Sequence, residues 1–227
     1  MDESPGWHTR GYLPHFDDGR VVQIVTFRLA DSLPVAVLEK LEELALDDTK
    51  RRAKIEWYLD QGMGSSLLRD PGHAAAVCGA LMETEGVTHW LHAWVIMPNH
   101  VHVLVEPHAG RTIGQLVGAW KSVSARKILP GSAAVPGRIL NPAAGDGRAP
   151  RRSKLRLWQP DYFDRFIRDS RHYRAAVDYI HQNPVGAGLV ALPPHWPWSS
   201  AAPLSLTSTR TVPDRSRPSP HPPARSR

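Results

Sequence analysis

The stretch HAWVIMPNHVHVLVEP, residues 92–107, constrains the fold more than any other part of the chain. Two apolar runs, HWLHAWVIM and HVHVLVE, meet at Pro98 and Asn99, a pair that favours a tight turn, so the segment reads as a β-hairpin. Strand residues alternate faces with period two. Val101, Val103 and Val105 therefore point one way, while His100, His102, Leu104 and Glu106 point the other. The valine face reads as core. The opposite face sets two imidazoles side by side, and these need a partner from elsewhere in the chain.

The surrounding elements suggest the frame. VVQIVTFRL, residues 21–29, is rich in β-branched residues and predicts a strand. From Pro34 onward, Val37, Leu38, Leu41, Leu44 and Ala45 keep helical spacing in a run that continues to Asp60, and a second helix is expected over residues 71–85. Residues 112–129 read as an amphipathic helix with Ile113, Leu116, Val117, Trp120 and Val123 as its apolar stripe. LWQPDYFDRFIR suits a short strand, and a last helix is expected over 169–183, ended by Pro184 and the glycines beyond it. The order β-α-(α)-β-β-α-β-α predicts an α+β, ferredoxin-like (RRM-like) sandwich. Its four-stranded antiparallel sheet is flanked by helices, and the histidine strand is central. One domain is expected over residues 11–200. Residues 130–153 form a Gly/Pro-rich insertion, residues 1–10 read as a flexible N-terminus, and residues 201–227 as a disordered basic tail.

Composition narrows the function class. No apolar run approaches the roughly 18 residues of a membrane span, and the acidic N-terminus lacks a signal-like apolar core. The single cysteine, Cys78, cannot form an internal disulfide, which fits a reducing cytoplasm. Charge is unevenly spread: 9 Lys/Arg against 16 Asp/Glu over residues 1–106, but 10 against 1 over residues 107–160. The basic block suggests a polyanion partner, nucleic acid first among them, although a solvated basic loop has the same composition. Lys121, Arg126, Lys127, Arg151, Arg152 and Lys154 are the candidate backbone contacts.

The partner for the histidines is sought in the last helix. Tyr173, Ala176, Val177 and Ile180 recur at i, i+3, i+4, i+7 and form its buried stripe. Tyr179 falls just beside that stripe, and Asn183, four residues on, projects from the same edge. Two imidazoles and an amide oxygen can bind a divalent cation with positions left open for substrate oxygens. A phenol, with a pKa of about 10, is a poor nucleophile at neutral pH. A cation that polarises a phosphodiester lets it attack, giving a covalent phosphotyrosine and a free hydroxyl end. His89, His92 and His108 have no supporting partners in the sequence. His181 points away from Tyr179, and Trp196 and Trp198 read as pins for the chain end. No carboxylate base is seen beside the histidines, which disfavours a simple hydrolase.

PNHVHVLVEP resembles the histidine–hydrophobic–histidine motif of the HUH single-strand endonucleases. YIHQNPVGAGLV is similar to the tyrosine helix of the REP-associated tyrosine transposases, within the single-tyrosine transposases. The likeness extends through TFRLADSLP, LHAWVIMPNHVHVLV, LWQPDYFDRFIRD and WPWSS in order, covering most of residues 11–200. It implies His100 and His102 as metal ligands, Tyr179 as nucleophile and Asn183 as a further ligand. It also implies Mg²⁺ or Mn²⁺ as cofactor and single-stranded or hairpin DNA as partner. Relatives differ in whether they exchange the tyrosine helix in a homodimer. A hairpin-binding protein of the same fold that no longer catalyses transposition stands as the alternative. The 130–153 insertion and the tail beyond Ser200 lie outside the resemblance.

Overall fold

The computed structural model describes residues 7–9, 14–16, 21–44, 47–129 and 156–203. The 130–153 insertion, most of the N-terminal ten residues and nearly all of the tail lie outside them. Its first elements are a small antiparallel pair, β1 (Trp7–Thr9) and β2 (Pro14–Phe16). The main sheet is built from β3 (Gln23–Arg28), β4 (His89–Ile96), β5 (His100–Pro107) and β6 (Phe163–Phe166). Its order is β4-β5-β3-β6 with every pair antiparallel. With the first and third main strands central and helical connections flanking a hairpin, this is the ferredoxin-like arrangement.

The run after Pro34 does not make one helix. It divides into α1 (Val35–Glu43) and α2 (Asp48–Asp60). The division has a local cause: the Asp47 carboxylate accepts a hydrogen bond from the Lys50 backbone N–H and so starts a new helix. α3 (Pro71–Met82) begins the same way, with Asp70 capping His73 and Pro71 in its first turn. α4 (Ile113–Ile128) opens on a capping box between Thr112 and Gln115.

The sheet is covered on both faces. Val25, Phe27, Val101, Val103 and Val105 pack under α3 and α4, with Trp120 and Leu81 fully buried against them. Deleting a side chain of Trp120's size from such a core costs about 3–5 kcal/mol. The opposite face carries Ala93, Val95, Met97 and Leu104 under Ala176 and Ile180 of α5 (Ser170–Gly186). A bulge between Leu91 and Ala93 reverses the alternation of β4, so Leu91 joins the first core and Ala93 the second. α1 and α2 form a third cluster with Leu41, Ile55 and Leu59.

α5 continues through Pro184 to Gly186, past the expected stop. A proline so near the end removes one late hydrogen bond, and the last carbonyls find partners: Ala187 N–H donates to Asn183 O and Leu189 N–H to Pro184 O. The following segment returns along the outer edge of β4. Ile96 N–H donates to Trp198 O, Trp94 N–H to Ser200 Oγ, and the Trp196 indole to Ile96 O. That covers an exposed strand edge. Among the described residues no helix is long and apolar enough to cross a membrane.

Candidate active site

Three elements converge on His100 and His102, both fully buried on the α5 face of the central strand. Their Nε2 atoms lie 2.9 Å apart. The tautomer of His100 follows from its neighbour. Asn99 donates through Nδ2 to Leu59 O (3.2 Å) and Met63 O (3.1 Å), so its Oδ1 can only accept, and His100 Nδ1 at 2.6 Å must carry the proton. The Nε2 of His100 thus offers a lone pair toward His102. His102 Nδ1 meets Thr26 Oγ1 at 2.7 Å, a hydroxyl able to donate or accept.

The same Asn99 fixes the end of α2, because Leu59 and Met63 bracket that helix terminus. The result is a carboxylate beside the histidines: Asp60 Oδ1 is 3.4 Å from His100 Nε2. Ligand atoms of Asp60, His100 and His102 all fall within 4.8 Å of one another. From α5, Asn183 donates through Nδ2 to Asp60 Oδ1 at 3.2 Å. Its Oδ1 is buried and has no hydrogen-bond partner among the described residues. One turn earlier, Tyr179 Oη lies 3.4 Å from His102 Nε2, with the rings 5.1 Å apart.

Electrostatics favour a cation here. Burial first, then the neighbouring His100, hold the His102 imidazole well below its ordinary value, so His102 is neutral at pH 7. In that state one ring proton bridges the two Nε2 atoms. A divalent ion can replace that proton if His102 moves its proton to Nδ1 and donates to Thr26. Burial, then the negative charges of Asp60 and Glu56, push the Tyr179 hydroxyl well above its ordinary value, with Arg165 and Asn183 opposing. Two imidazoles and a carboxylate whose ligand atoms lie within 4.8 Å of one another make a donor set that fits a divalent cation.

The structure thus brings His100, His102, Tyr179 and Asn183 together, and adds three residues that sequence reasoning missed: Asp60, Thr26 and Asn99. The expectation that no carboxylate accompanies the histidines is overturned by Asp60, which is remote in sequence and reaches the site through α2.

The candidate DNA cations are placed differently from the tyrosine site. The Lys121 ammonium donates to the carbonyls of Gln159, Pro160 and Asp161 at 2.9, 3.2 and 2.8 Å, and burial pushes it down to about 7. Arg126, bound to Ser122 Oγ, and Lys127 are exposed on α4, across the sheet from the histidines. Arg151, Arg152 and Lys154 lie outside the described residues. The four other histidines considered from the sequence are hydrogen-bonded locally. His89 meets Thr88 Oγ1 and Leu81 O, His92 meets Tyr173 Oη and Glu106, His108 meets Val87 O, and His181 meets Ser200 Oγ.

Residues 75–141 match the family described as "Transposase IS200 like". The likeness is to the IS200-like transposases. The matched segment holds His100 and His102 but ends before Tyr179 and starts after Asp60. A REP-associated tyrosine transposase of Escherichia coli (strain K12) is 26% identical over 110 residues, 48% of this chain. The aligned part is 53% of that relative, so the chain spans about half its length. A solved REP-associated tyrosine transposase bound to a REP hairpin aligns over 84% of this chain and 82% of its own. That alignment has 18% identity and a TM-score of 0.49.

Proposed function

We propose that the protein is a metal-dependent single-stranded DNA endonuclease and strand transferase that works through a covalent link to Tyr179 on hairpin-forming DNA. The observation that carries this is the position of the Tyr179 hydroxyl, 3.4 Å from an imidazole of the Asp60/His100/His102 cluster. A nucleophile and a cation site are thereby within reach of one phosphodiester.

The ion, held by His100, His102, Asp60 and the free oxygen of Asn183, would supply Lewis-acid polarisation of the scissile phosphate and offset the carboxylate charges that disfavour a phenolate. The chain's own residues do the rest. Asn99 and Thr26 hold the imidazoles in the tautomers that face the site. α5 holds Tyr179 at the partly open edge, where a strand can enter. The phenolic oxygen attacks phosphorus as its proton leaves to water, the P–O bond to one deoxyribose breaks, and that end departs as a hydroxyl. Attack by another hydroxyl on the phosphotyrosine restores a phosphodiester and the phenol, so rejoining needs no nucleotide cofactor. A reducing cytoplasm, where Cys78 stays a buried free thiol, suits such a protein.

The test is incubation with a labelled hairpin oligonucleotide bearing single-stranded flanks, taken from beside the gene, with Mn²⁺ or Mg²⁺. A denaturation-resistant protein–DNA adduct is expected in wild type, lost with chelator and in Tyr179→Phe. Tight hairpin binding without an adduct in either metal would remove the enzymatic reading and leave a DNA-binding protein.

A further inference from the structure

Beside the tyrosine, a cavity of about 250 Å³ lies between α2 and α5 over the β3–β6 side of the sheet. Thr26 and Tyr179, which touch His102, also line it, so the cavity adjoins the histidine cluster. Its floor is apolar: Ile24, the Phe163 ring and Ala176. The register places Thr26 opposite Phe163 and Ile24 opposite Arg165, so these side chains share the face that carries the histidines. The walls are charged. Arg52 lies with its guanidinium 5.2 Å over the Phe163 ring and donates to Asp164 O, Arg165 stands exposed at the rim, and Glu56 projects from α2 one turn before Asp60. Burial raises the Glu56 carboxyl above its ordinary value, and the two arginines oppose that rise.

This hollow is smaller than the roughly 300 Å³ at which pockets for drug-sized ligands begin, and so suits one flat ring system rather than a larger molecule. A phosphodiester at Tyr179 carries a nucleotide on each side, and because Tyr179 also lines this cavity, one of them can turn into it. We infer that the cavity receives the unpaired base of the nucleotide next to the cleaved phosphate, stacked against Phe163 and the Arg52 guanidinium that lies over it, with Arg165 meeting the adjoining phosphate and Glu56 selecting a base that bears an exocyclic amine. The selection has a simple chemical origin: a carboxylate accepts from the two-proton amino groups of cytosine, adenine and guanine, whereas thymine has no amino group and offers only its single ring N3–H. Arg165 is the rim cation because a guanidinium matches phosphate geometry while remaining hydrated. The inference rests on the DNA-cleaving reading above and assigns that site a base-reading pocket.

The experiment uses the full chain and hairpin oligonucleotides in which each nucleotide flanking the cut is in turn made abasic, thymine or cytosine. Binding is measured by fluorescence anisotropy without metal, and adduct yield is scored separately with Mn²⁺. At one position, wild type should bind the abasic strand about tenfold more weakly, the scale of one lost base–aromatic stack, and prefer cytosine to thymine. Ala175→Leu fills the cavity from an exposed helical position that tolerates leucine, and should bind intact and abasic strands alike. Glu56→Gln, whose amide both donates and accepts, should lose the cytosine preference while keeping the stack. Adduct formation in wild type with a flat abasic scan would overturn the pocket and leave the cleavage chemistry standing. An abasic effect that Ala175→Leu erases, without any adduct, would keep the pocket and remove the chemistry. Absence of single-strand binding altogether would overturn both.

Discussion

Asp60→Asn isolates the charge that completes the cation site. The substitution is isosteric, and the side chain is 27% exposed, so its removal from the metal-free fold should cost little. An asparagine oxygen can still accept from Asn183 Nδ2. What is lost is a formal negative charge within 4.8 Å of both imidazole donors. Two unit charges about 4 Å apart attract by about 4 kcal/mol at an effective dielectric of about 20. A divalent ion doubles that gross figure, and desolvation of the carboxylate removes most of it. A net loss of about 2.7 kcal/mol, a hundredfold in Kd, is the working expectation. With Mn²⁺ at about 100 times the wild-type Kd, binding stabilises the folded state by about 2.7 kcal/mol, and at the same concentration the variant gains about 0.4 kcal/mol. For a domain of this size each kcal/mol moves Tm by about 2–4 °C, so the Mn²⁺-induced rise should fall from about 5–11 °C to about 1 °C. Differential scanning fluorimetry with and without Mn²⁺ reads this directly. If the variant keeps the full Mn²⁺-induced rise while His102→Ala abolishes it, Asp60 is not a ligand and the reasoning is wrong.

Two further outcomes follow from the same geometry. His89 is buried and its imidazole is pushed down to about 4, chiefly by burial, from an ordinary 6.5. The unfolded chain therefore takes up a proton that the folded chain refuses. Stability should be complete above pH 6.5 and fall toward pH 4 by up to about 3 kcal/mol, a slope that His89→Gln should flatten in urea titrations at several pH values. Asn99→Ala removes the acceptor that fixes the His100 tautomer and both donors that hold the α2 end. It should lower Mn²⁺ affinity by about 10–100-fold, measured by calorimetry, and an unchanged affinity would show that the tautomer sets itself.

The hairpin and its two histidines were legible because period-two alternation is a local property, read without knowing what lies across the sheet. The Tyr179–Asn183 pair was legible for the same reason, as an i, i+4 relation on one helix. Asp60 was not. It sits 40 residues before His100, and what brings it near is Asn99 holding the carbonyls of Leu59 and Met63, a contact that no periodicity records. The split between α1 and α2 had a readable sign in Asp47 before a new helical run, obscured by the helical spacing of the residues around it. Lys121 shows the converse limit. A lysine in a basic block reads as a surface cation, yet the loop at residues 159–161 turns three carbonyls onto it. Pro184 failed as a stop signal because a proline in the last turn costs little when later N–H groups satisfy the freed carbonyls.

The account depends most on where the covalent bond forms. After reaction with a hairpin oligonucleotide and Mn²⁺, the DNA is digested to a residual nucleotide, the protein is proteolysed, and mass spectrometry locates the modified peptide. The nucleotide is expected on Tyr179, in the peptide containing YIHQNPVGAG. A cut strand with no modified peptide, or a modification on Tyr58, Tyr162 or Tyr173 instead, would contradict it.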